Sequence, residues 1–290
     1  MRINTNVASL NSNRVLQLTN TAVARTLGRL SSGYRINRSA DDAAGLGIAN
    51  RLRADIRSLR QAARNAEQAN ATLQIAEGAT QSIQSIVERM KELATQAASA
   101  NTDEAGRDKI QAEFDQLLDE IDRIVATTKF QDTVLLDGTF TGDFMVSSSG
   151  SYTPGPNSDF VTVDGTDLDL SGLRAAILDD GANGQLTPTA PATSFDAGQW
   201  QQVLSNLDGA LATIATAMGA IGAAQNRIEH AFNNTNIAIE NYAAAESTIR
   251  DADFAAEVAE LTRLQILQQS GIAMLAQANA APQAILALLR

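Results

Sequence analysis

The segment that decides the fold runs from residue 200 to residue 249, WQQVLSNLDGALATIATAMGAIGAAQNRIEHAFNNTNIAIENYAAAESTI. Alternate steps of four and three residues through it give fifteen positions, of which twelve are apolar. This spacing is typical of one apolar face on a continuous α-helix, here roughly 75 Å long. Because such a face needs an equally long partner, the segment predicts packing between long helices. The predicted face comprises Trp200, Leu204, Leu207, Leu211, Ile214, Met218, Ile221, Gln225, Ile228, Phe232, Thr235, Ile239, Tyr242, Glu246 and Ile249.

Two upstream segments show the same spacing and supply the partners. The break SANTDEAG, residues 99–106, separates them, and Thr102 or Asn101 is expected to cap the second helix, with Asp103 and Glu104 in its first turn. Three matching faces predict a mainly α fold, an elongated bundle of long antiparallel helices. The predicted faces are Ile56, Leu59, Ala63, Ala66, Asn70, Leu73, Ile83, Val87, Met90, Ala94 and Ala97 in the first segment, and Ile110, Phe114, Leu117, Ile121 and Ile124 in the second.

The pattern changes in the middle of the chain, where four of the five prolines and many Gly, Ser, Thr and Asp residues occur. The stretches DFMVSSSG, residues 143–150, and DFVTVDGTDLDLSG, residues 159–172, carry partly alternating β-branched residues between turn formers. This is the pattern of short paired strands. We therefore expect a small β-hairpin lobe over about 129–175 and a linker over 176–199.

Charge and composition exclude several classes of function. The first 40 residues hold six Arg and no acid, the last 30 hold two Arg and no acid, and the remainder, with 14 basic and 33 acidic side chains, carries a net charge of −19. Such an acidic middle would repel nucleic acid. The chain has no Cys and one His, so disulfides, thiolate metal sites and two-histidine zinc sites are excluded. We expect no enzyme activity, no cofactor, no metal and no nucleic-acid partner.

The residue pattern at both ends of the chain predicts that they are buried in an assembly. Each end carries an apolar stripe but too little bulk to fold alone, since helices in water are stabilised mainly by packing. Paired with each other they would still expose apolar surface, which other copies of the chain would cover. No run of about 18 apolar residues occurs in the tail, so membrane insertion is not expected. The predicted polymerisation interface comprises Leu16, Val23, Leu27, Leu30, Phe254, Val258, Leu261, Leu264, Leu267, Met274, Leu275, Ile285, Leu286 and Leu289.

Motifs at both ends carry a resemblance to a known family. MRINTNVASLNSNRVL, LSSGYRINRSADDAAGLGIANRLRADIRSL and NAEQANATLQIAEGA resemble the N-terminal region of bacterial flagellins. NRIEHAFNNTNIAIENYAAAESTIRDADFAAEVAEL and QILQQSGIAMLAQANAAPQAILALLR resemble the C-terminal region. The resemblance covers roughly 1–140 and 200–290. Because only about 60 residues separate the two parts, the chain looks like a short form without large outer domains.

The resemblance implies a structural subunit that polymerises with itself into the flagellar filament. It implies a terminal coiled-coil domain, 1–45 with 250–290, that lines the inner tube, and a helical rod domain, 46–199 with 200–249. It also implies unfolded export without a cleavable signal peptide, assembly at the distal tip and an extracellular location. The implied partners are a flagellar export chaperone, the filament cap and hook–filament junction proteins.

One segment resembles a site of innate immune recognition. VERMKELATQ, residues 87–96, looks like the flagellin segment bound by the vertebrate Toll-like flagellin receptor. The resemblance assigns Arg89 as the central basic contact, Leu93 beside it, and Glu113 in IQAEF as an acidic contact on the neighbouring helix. Stacking between subunits is an alternative use of the same surface.

Other readings stay open at this point. GLGIAN, residues 45–50, is an incomplete G-x-G-x-x-G without a preceding strand, so small residues at a bend explain it better than a nucleotide site. His230 is expected at a surface or an interface. The alternative functions are a hook–filament junction protein, which shares the terminal heptads, and a membrane-active translocator of an injection apparatus, which would need a continuous apolar hairpin.

Overall fold

The computed structural model describes residues 6–147, 160–180, 186 and 195–288, the last eight of these as backbone only. Over these residues the chain is mainly α-helical with a few short antiparallel strands, which confirms the predicted fold class. The elements in order are α1 (Val7–Ser32), α2 (Ala43–Ala98), α3 (Glu104–Thr127), β1 (Lys129–Phe130), β2 (Thr133–Val134), β3 (Thr141–Met145), β4 (Phe160–Asp164), a 3-10 turn (Gly165–Leu168), α4 (Leu173–Ile177), α5 (Ala197–Arg250) and α6 (Phe254–Leu288).

The chain divides into two compact units. The terminal unit comprises residues 1–57 and 240–290, and the central unit comprises residues 58–239. The long helices α2 and α5 each contribute residues to both units. The boundaries near residues 45 and 250 that the resemblance implied stay a prediction.

In the terminal unit, α1 and α6 pack side by side in opposite directions. Asn6 Nδ2 donates to the Ala278 carbonyl at 2.7 Å, and Gln268 Nε2 donates to Asn20 Oδ1 at 2.8 Å. As the residue number rises along α1, the number of its partner on α6 falls, so the pair is antiparallel. The predicted pairing of the chain ends is therefore present in the structure.

Two connections of the terminal unit are joined by backbone hydrogen bonds. Helix α1 ends at Gly33, whose φ of +73° favours glycine. The Arg35 N–H donates to the Arg250 carbonyl at 2.7 Å, and the Ala252 N–H donates to the Gly33 carbonyl at 2.9 Å. The Arg250 guanidinium also lies 4.1 Å from the centre of the Tyr34 ring, within the range of a cation–π contact. The α1–α2 and α5–α6 connections therefore hold each other in place.

GLGIAN lies inside the first turns of α2, so the expected bend at residues 45–50 is wrong. The Gly45 N–H donates to Asp42 Oδ1 at 2.9 Å, which satisfies a free donor at the start of the helix. A Cβ on Gly45 would lie 2.9 Å from Ile36 Cδ1, so the small residue permits close packing of the preceding connection. The change of direction occurs in residues 33–42, which precede the motif.

In the central unit, α2, α3 and α5 share one apolar core. Arg89 of α2 donates to Glu113 of α3, and Gln225 of α5 donates to Glu77 of α2 at 2.8 Å. Trp200, fully buried at the start of α5, is the largest side chain of this core. The single tryptophan packs against Phe114 of α3 and against Phe195, which precedes α5.

The buried face predicted for α5 consists of two rows of residues, and only one of these rows is buried in the structure. The row Trp200, Leu207, Ile214 continues as predicted and is almost fully buried. The second predicted row, which begins at Leu204 and Leu211, is only partly buried. The buried second row lies one residue earlier and is mostly alanine, namely Val203, Ala210, Ala217 and Ala224.

Similar shifts of one residue occur on α2 and α3. On α2 the buried row includes Ala62 and Ala69 in place of the predicted Ala63 and Asn70. On α3, Leu118 and Val125 are buried where Leu117 and Ile124 were expected. The cap of α3 is Asp103, whose side chain accepts from the Gly106 N–H at 2.9 Å, so the predicted cap at Thr102 or Asn101 was wrong by one or two residues.

The β lobe is confirmed. Strands β1 and β2 form one antiparallel pair, and β3 and β4 form another with Gly142 opposite Val163. Val161 and Val163 are buried with Leu168 of the 3-10 turn. A Cβ on Gly165 would lie 2.0 Å from the Phe140 carbonyl oxygen, so this close approach requires glycine. Most of the predicted linker, residues 181–185 and 187–194, lies outside the described residues.

Helix α5 meets the length and composition expected of a membrane-spanning helix. It contains an 18-residue window of mean hydropathy 1.4, the one such helix in the described part of the chain. Its residues Leu207, Ile214 and Ile221 are fully buried in the core of the central unit. One third of the window is buried, as for a helix that packs one face against the core of a folded protein.

Candidate assembly surface

The paired helices α1 and α6 bury very little apolar surface between them. Among the described side chains of these two helices, only Thr26 and Leu264 are fully buried, each about 5% exposed. The apolar residues of α6 are distributed around the whole helix and do not form a single stripe. Large apolar side chains therefore remain on the surface of the pair.

The structure divides the predicted interface residues into two groups. Leu16, Val23, Leu30, Leu261 and Leu275 are half-buried and Leu264 is buried, so this group lies towards the α1–α6 contact. The second group comprises Leu27, Phe254, Val258, Leu267 and Met274, which are between 44% and 64% exposed. Ile285, Leu286 and Leu289 lie outside the described side chains.

Sequence reasoning missed several exposed apolar residues of the same two helices. On α1, Val7 and Leu10 are 70% and 62% exposed. On α6, Ile266 and Ile272 are 59% and 54% exposed. A stripe-based prediction cannot find them because they lie on the side of each helix that faces away from its partner. We use the name assembly surface for the exposed apolar residues of the pair: Val7, Leu10, Val15, Leu18, Leu27, Phe254, Val258, Ile266, Leu267, Ile272 and Met274.

Charged residues on the pair are few and are concentrated at one end. Arg29 Nη1 lies 3.2 Å from Glu257 Oε1 and joins α1 to α6. Arg263 pairs with Glu260 within α6, and this pairing lowers the pKa of the Glu260 carboxyl. From residue 264 to residue 280 the helix has no charged residue at all. Depletion of charge with exposed large apolar side chains is typical of the core of a protein–protein interface.

A second candidate site lies on the central unit around Arg89. Its guanidinium donates to Glu92 Oε2 at 2.8 Å and to Glu113 Oε1 at 3.0 Å. Hydrogen bonds to Glu92 and then to Glu113 raise the pKa of Arg89 above its ordinary value. Arg89 and Glu113 are about half exposed and lie in direct contact, so the structure brings together these two of the three predicted receptor contacts.

Leu93, the third predicted receptor contact, lies elsewhere. It is 2% exposed and packs in the core of the central unit. Its position three to four residues from Met90 and Ala97 places it on the buried face of α2, because helix neighbours at that spacing share a face. The side chain is therefore not on the surface that carries Arg89 and Glu113.

The described residues contain no group of three or more His, Asp or Glu side chains arranged to hold a metal ion. His230 lies on the exposed side of α5. The exposed apolar side chains of α1 and α6 are the main candidate for a functional surface among the described residues.

Comparisons with known proteins identify the family. Residues 3–141 match the model of the bacterial flagellin N-terminal helical region, and residues 204–289 match that of the bacterial flagellin C-terminal helical region. The chain is 39% identical over 291 residues to a flagellin of Halalkalibacterium halodurans and 37% identical over 305 residues to a flagellin of Bacillus subtilis, with 100% of both chains covered in each case. The chain belongs to the bacterial flagellin family, whose members are structural subunits of the flagellar filament.

Another full-length relative agrees with this assignment. The chain is 38% identical over 295 residues to flagellin FlaB2 of Treponema pallidum, again with 100% of both chains covered. A crystal structure of Bacillus cereus flagellin aligns with 59% of this chain and 88% of its own, at 26% identity and a TM-score of 0.46. The full-length matches fit a short flagellin without a large outer domain.

Proposed function

We propose that this chain polymerises into the flagellar filament through the assembly surface on α1 and α6. The observation that carries the proposal is the exposure of large apolar residues on a helix pair of whose described side chains only two are buried. A monomeric soluble protein rarely leaves so many large apolar side chains in water. Contacts with other copies of the chain would cover them and provide the driving force for polymerisation.

Folding of the chain ends is coupled to polymerisation in this proposal. Ordering each residue costs roughly 1–2 kcal/mol, and a helix pair with little buried apolar surface gains too little to offset that cost. The central unit, with its continuous core of α2, α3 and α5, gains enough. The subunit would therefore leave the cell unfolded, keep disordered ends in dilute solution, and order them at the distal tip of the filament.

Three kinds of partner besides the chain itself belong to this proposal. An export chaperone would cover the apolar ends before secretion, and the filament cap would hold the subunit while its ends fold. Hook–filament junction proteins would offer the first layer of matching helices. The filament is an extracellular structure, so the working location of the subunit is outside the cell.

Recognition of the monomer by the Toll-like flagellin receptor is a further part of the proposal. Support comes from the exposed Arg89–Glu113 pair on the surface of α2 and α3. A charged pair that is half exposed can exchange its partner for one on a receptor at small cost. Because Leu93 is buried, the proposed contact rests on Arg89 and Glu113.

The test is seeded polymerisation of the purified protein. Fragments of filament are added to monomer, and the product is measured by sedimentation and observed by negative-stain electron microscopy. We expect long tubes from the whole chain and none from a chain lacking residues 261–290, because this deletion removes the charge-free part of α6. Filaments formed by the truncated chain would contradict the proposal.

The same experiment decides between the filament subunit and the junction protein. A filament subunit adds to its own ends without limit, whereas a junction protein forms a short layer between two other structures. Long tubes of the pure protein would exclude the junction protein. Binding to seeds without elongation would favour it.

A further inference from the structure

The terminal unit contains a small basic pocket between α1 and the α1–α2 connection. Its cavity volume is about 220 Å³. Three arginines, Arg25, Arg29 and Arg38, line it together with the single carboxylate of Asp41. The remaining lining consists of small or neutral residues: Thr21, Ala24, Gly28, Asn37 and Ala40.

The carboxylate of Asp41 accepts two hydrogen bonds from backbone N–H groups. Asp41 Oδ2 accepts from the Arg38 N–H at 3.0 Å and from the Asn37 N–H at 3.3 Å. The Arg38 N–H hydrogen bond, then that of Asn37, and the positive charges of Arg29 and Arg25 lower the pKa of the Asp41 carboxyl. Asp41 Oδ2 thus closes the connection between α1 and α2 on itself.

The arginines retain hydrogen-bonding capacity. Arg29 Nη1 donates to Glu257, but Arg29 Nε is buried and has no acceptor among the described residues. Within the described part of the chain, neither the Arg25 nor the Arg38 side chain makes an ion pair or a hydrogen bond. Three positive charges face two carboxylates, those of Asp41 and Glu257, so the group has one positive charge in excess.

We propose that this pocket binds a carboxylate side chain from a second copy of the chain. A carboxylate is planar and accepts two parallel hydrogen bonds from a guanidinium, and one such group would balance the excess charge. The residues between the two ends carry a net charge of −19, so every copy offers many carboxylates while the first 40 residues offer none. The occupant therefore comes from the acidic part of a neighbouring copy.

The position of the pocket agrees with this occupant. Leu18, which precedes Thr21 by three residues and Arg25 by seven, lies on the same side of α1 as the pocket. It is 61% exposed and belongs to the assembly surface. A neighbouring copy that covers Leu18 therefore also lies beside the mouth of the pocket. The inference rests on the proposed polymerisation and adds to it a polar contact that fixes where a neighbour sits, because apolar burial alone is non-directional.

The test compares charge-reversal variants in the seeded polymerisation assay. The double variant Arg25→Glu/Arg38→Glu reverses the two free charges of the pocket and leaves Arg29 and Asp41 intact. The control is Arg14→Glu, because Arg14 is also exposed on α1 but does not line the pocket. The measured quantity is the critical concentration of monomer for filament growth, at low and at high sodium chloride.

We expect the double variant to raise the critical concentration by about tenfold or more relative to the Arg14→Glu control. The reason is that the variant removes an attractive contact with the neighbouring carboxylate and replaces it with repulsion between like charges. The difference should shrink in high salt, which screens exposed charges. The variant Arg25→Lys/Arg38→Lys keeps both charges but loses the paired guanidinium hydrogen bonds, so its critical concentration should lie between those of the parent and the double variant. Equal critical concentrations for the double variant and the control would overturn the inference.

A second arm distinguishes a free anion from a neighbouring carboxylate. Sodium phosphate replaces sodium chloride at matched ionic strength. If phosphate lowers the critical concentration of the parent but not of the double variant, the pocket takes a free anion and the inference is overturned. If the parent itself fails to polymerise, the proposed function fails first, and the inference that rests on it fails with it.

Discussion

The Phe114 ring of α3 meets the Trp200 indole of α5 edge to face, with centroids 5.2 Å apart and planes at 87°. Both side chains are fully buried. The indole also meets the Phe195 ring at 5.4 Å, so two aromatic rings contact the single tryptophan. This cluster connects α3 to the start of α5 and makes Trp200 a reporter of the core of the central unit.

Phe114→Ala should lower the free energy of unfolding of the central unit by about 3–5 kcal/mol, because it removes a buried ring and leaves a cavity. The intrinsic fluorescence of Trp200 during urea unfolding measures the change. Ile75→Ala is the control, since Ile75 is 44% exposed on α2. The control should change stability by no more than about 0.5 kcal/mol. Equal stabilities of the two variants would mean that Phe114 is not part of the core.

Ile272→Glu should abolish filament growth without changing the helical content of the monomer. Ile272 is 54% exposed on α6, so the substitution costs little in the free chain but places a charge inside an interface. Gln277→Glu, at another exposed position of the same helix, adds the same charge outside the large apolar residues. Sedimentation after seeding measures both. The assembly surface would lose its assigned role if Ile272→Glu polymerised as well as Gln277→Glu.

Limited proteolysis should trim free monomer at both ends to a stable fragment of about residues 46–249. The physical reason is the small amount of apolar surface that α1 and α6 bury between them. In filament the same ends should resist protease, because neighbouring copies cover them. Mass spectrometry of the fragments gives the cut sites. Free monomer that resists trimming at both ends would show that the terminal unit folds on its own.

Arg89→Ala should reduce activation of the Toll-like flagellin receptor by about tenfold or more, the scale of a charged hot-spot residue. Folding should not change, since an ion pair exposed to solvent contributes little to stability. Arg123→Ala is the control because Arg123 is 59% exposed and pairs with Glu120 on α3. A dose series with receptor-expressing cells measures both variants. Equal responses to the two variants would remove Arg89 from the proposed contact.

The sequence predicts the existence and type of the long helices well and their buried faces less well. On α5 the row through Trp200 and Leu207 was found because large apolar residues repeat every seven positions. The second row was misplaced by one residue, from Ala210 to Leu211, because apolar bulk was taken as the sign of burial. Close approach of helices favours small side chains at the centre of a contact and larger ones beside it, and periodicity alone does not distinguish these positions.

The same limit applies to the candidate sites. The resemblance assigned Leu93 to the same contact as Arg89, four residues earlier, yet the structure buries Leu93 and exposes half of Arg89. A helix turns about 40° beyond a full revolution over four residues, which is enough to move a side chain from the rim to the core. The exposed Ile266 and Ile272 were missed for a related reason. Which side of α6 faces α1 is decided by contacts between residues about 250 positions apart in the chain, such as Gln268 with Asn20.

The repeating core of the central unit raises the question of how its helices find one alignment. A face that repeats every seven residues would pack almost as well after a slip of seven residues along the neighbouring helix. Lys91 pairs with Asp208, and a slip of that size would place it opposite Gln201 or Ala215 instead. Glu77, which now accepts from Gln225, would likewise lose its amide partner. The first pair is exposed and the second is partly buried, and each contributes little stability. Together they select one alignment of the helices from several that are nearly equal in energy.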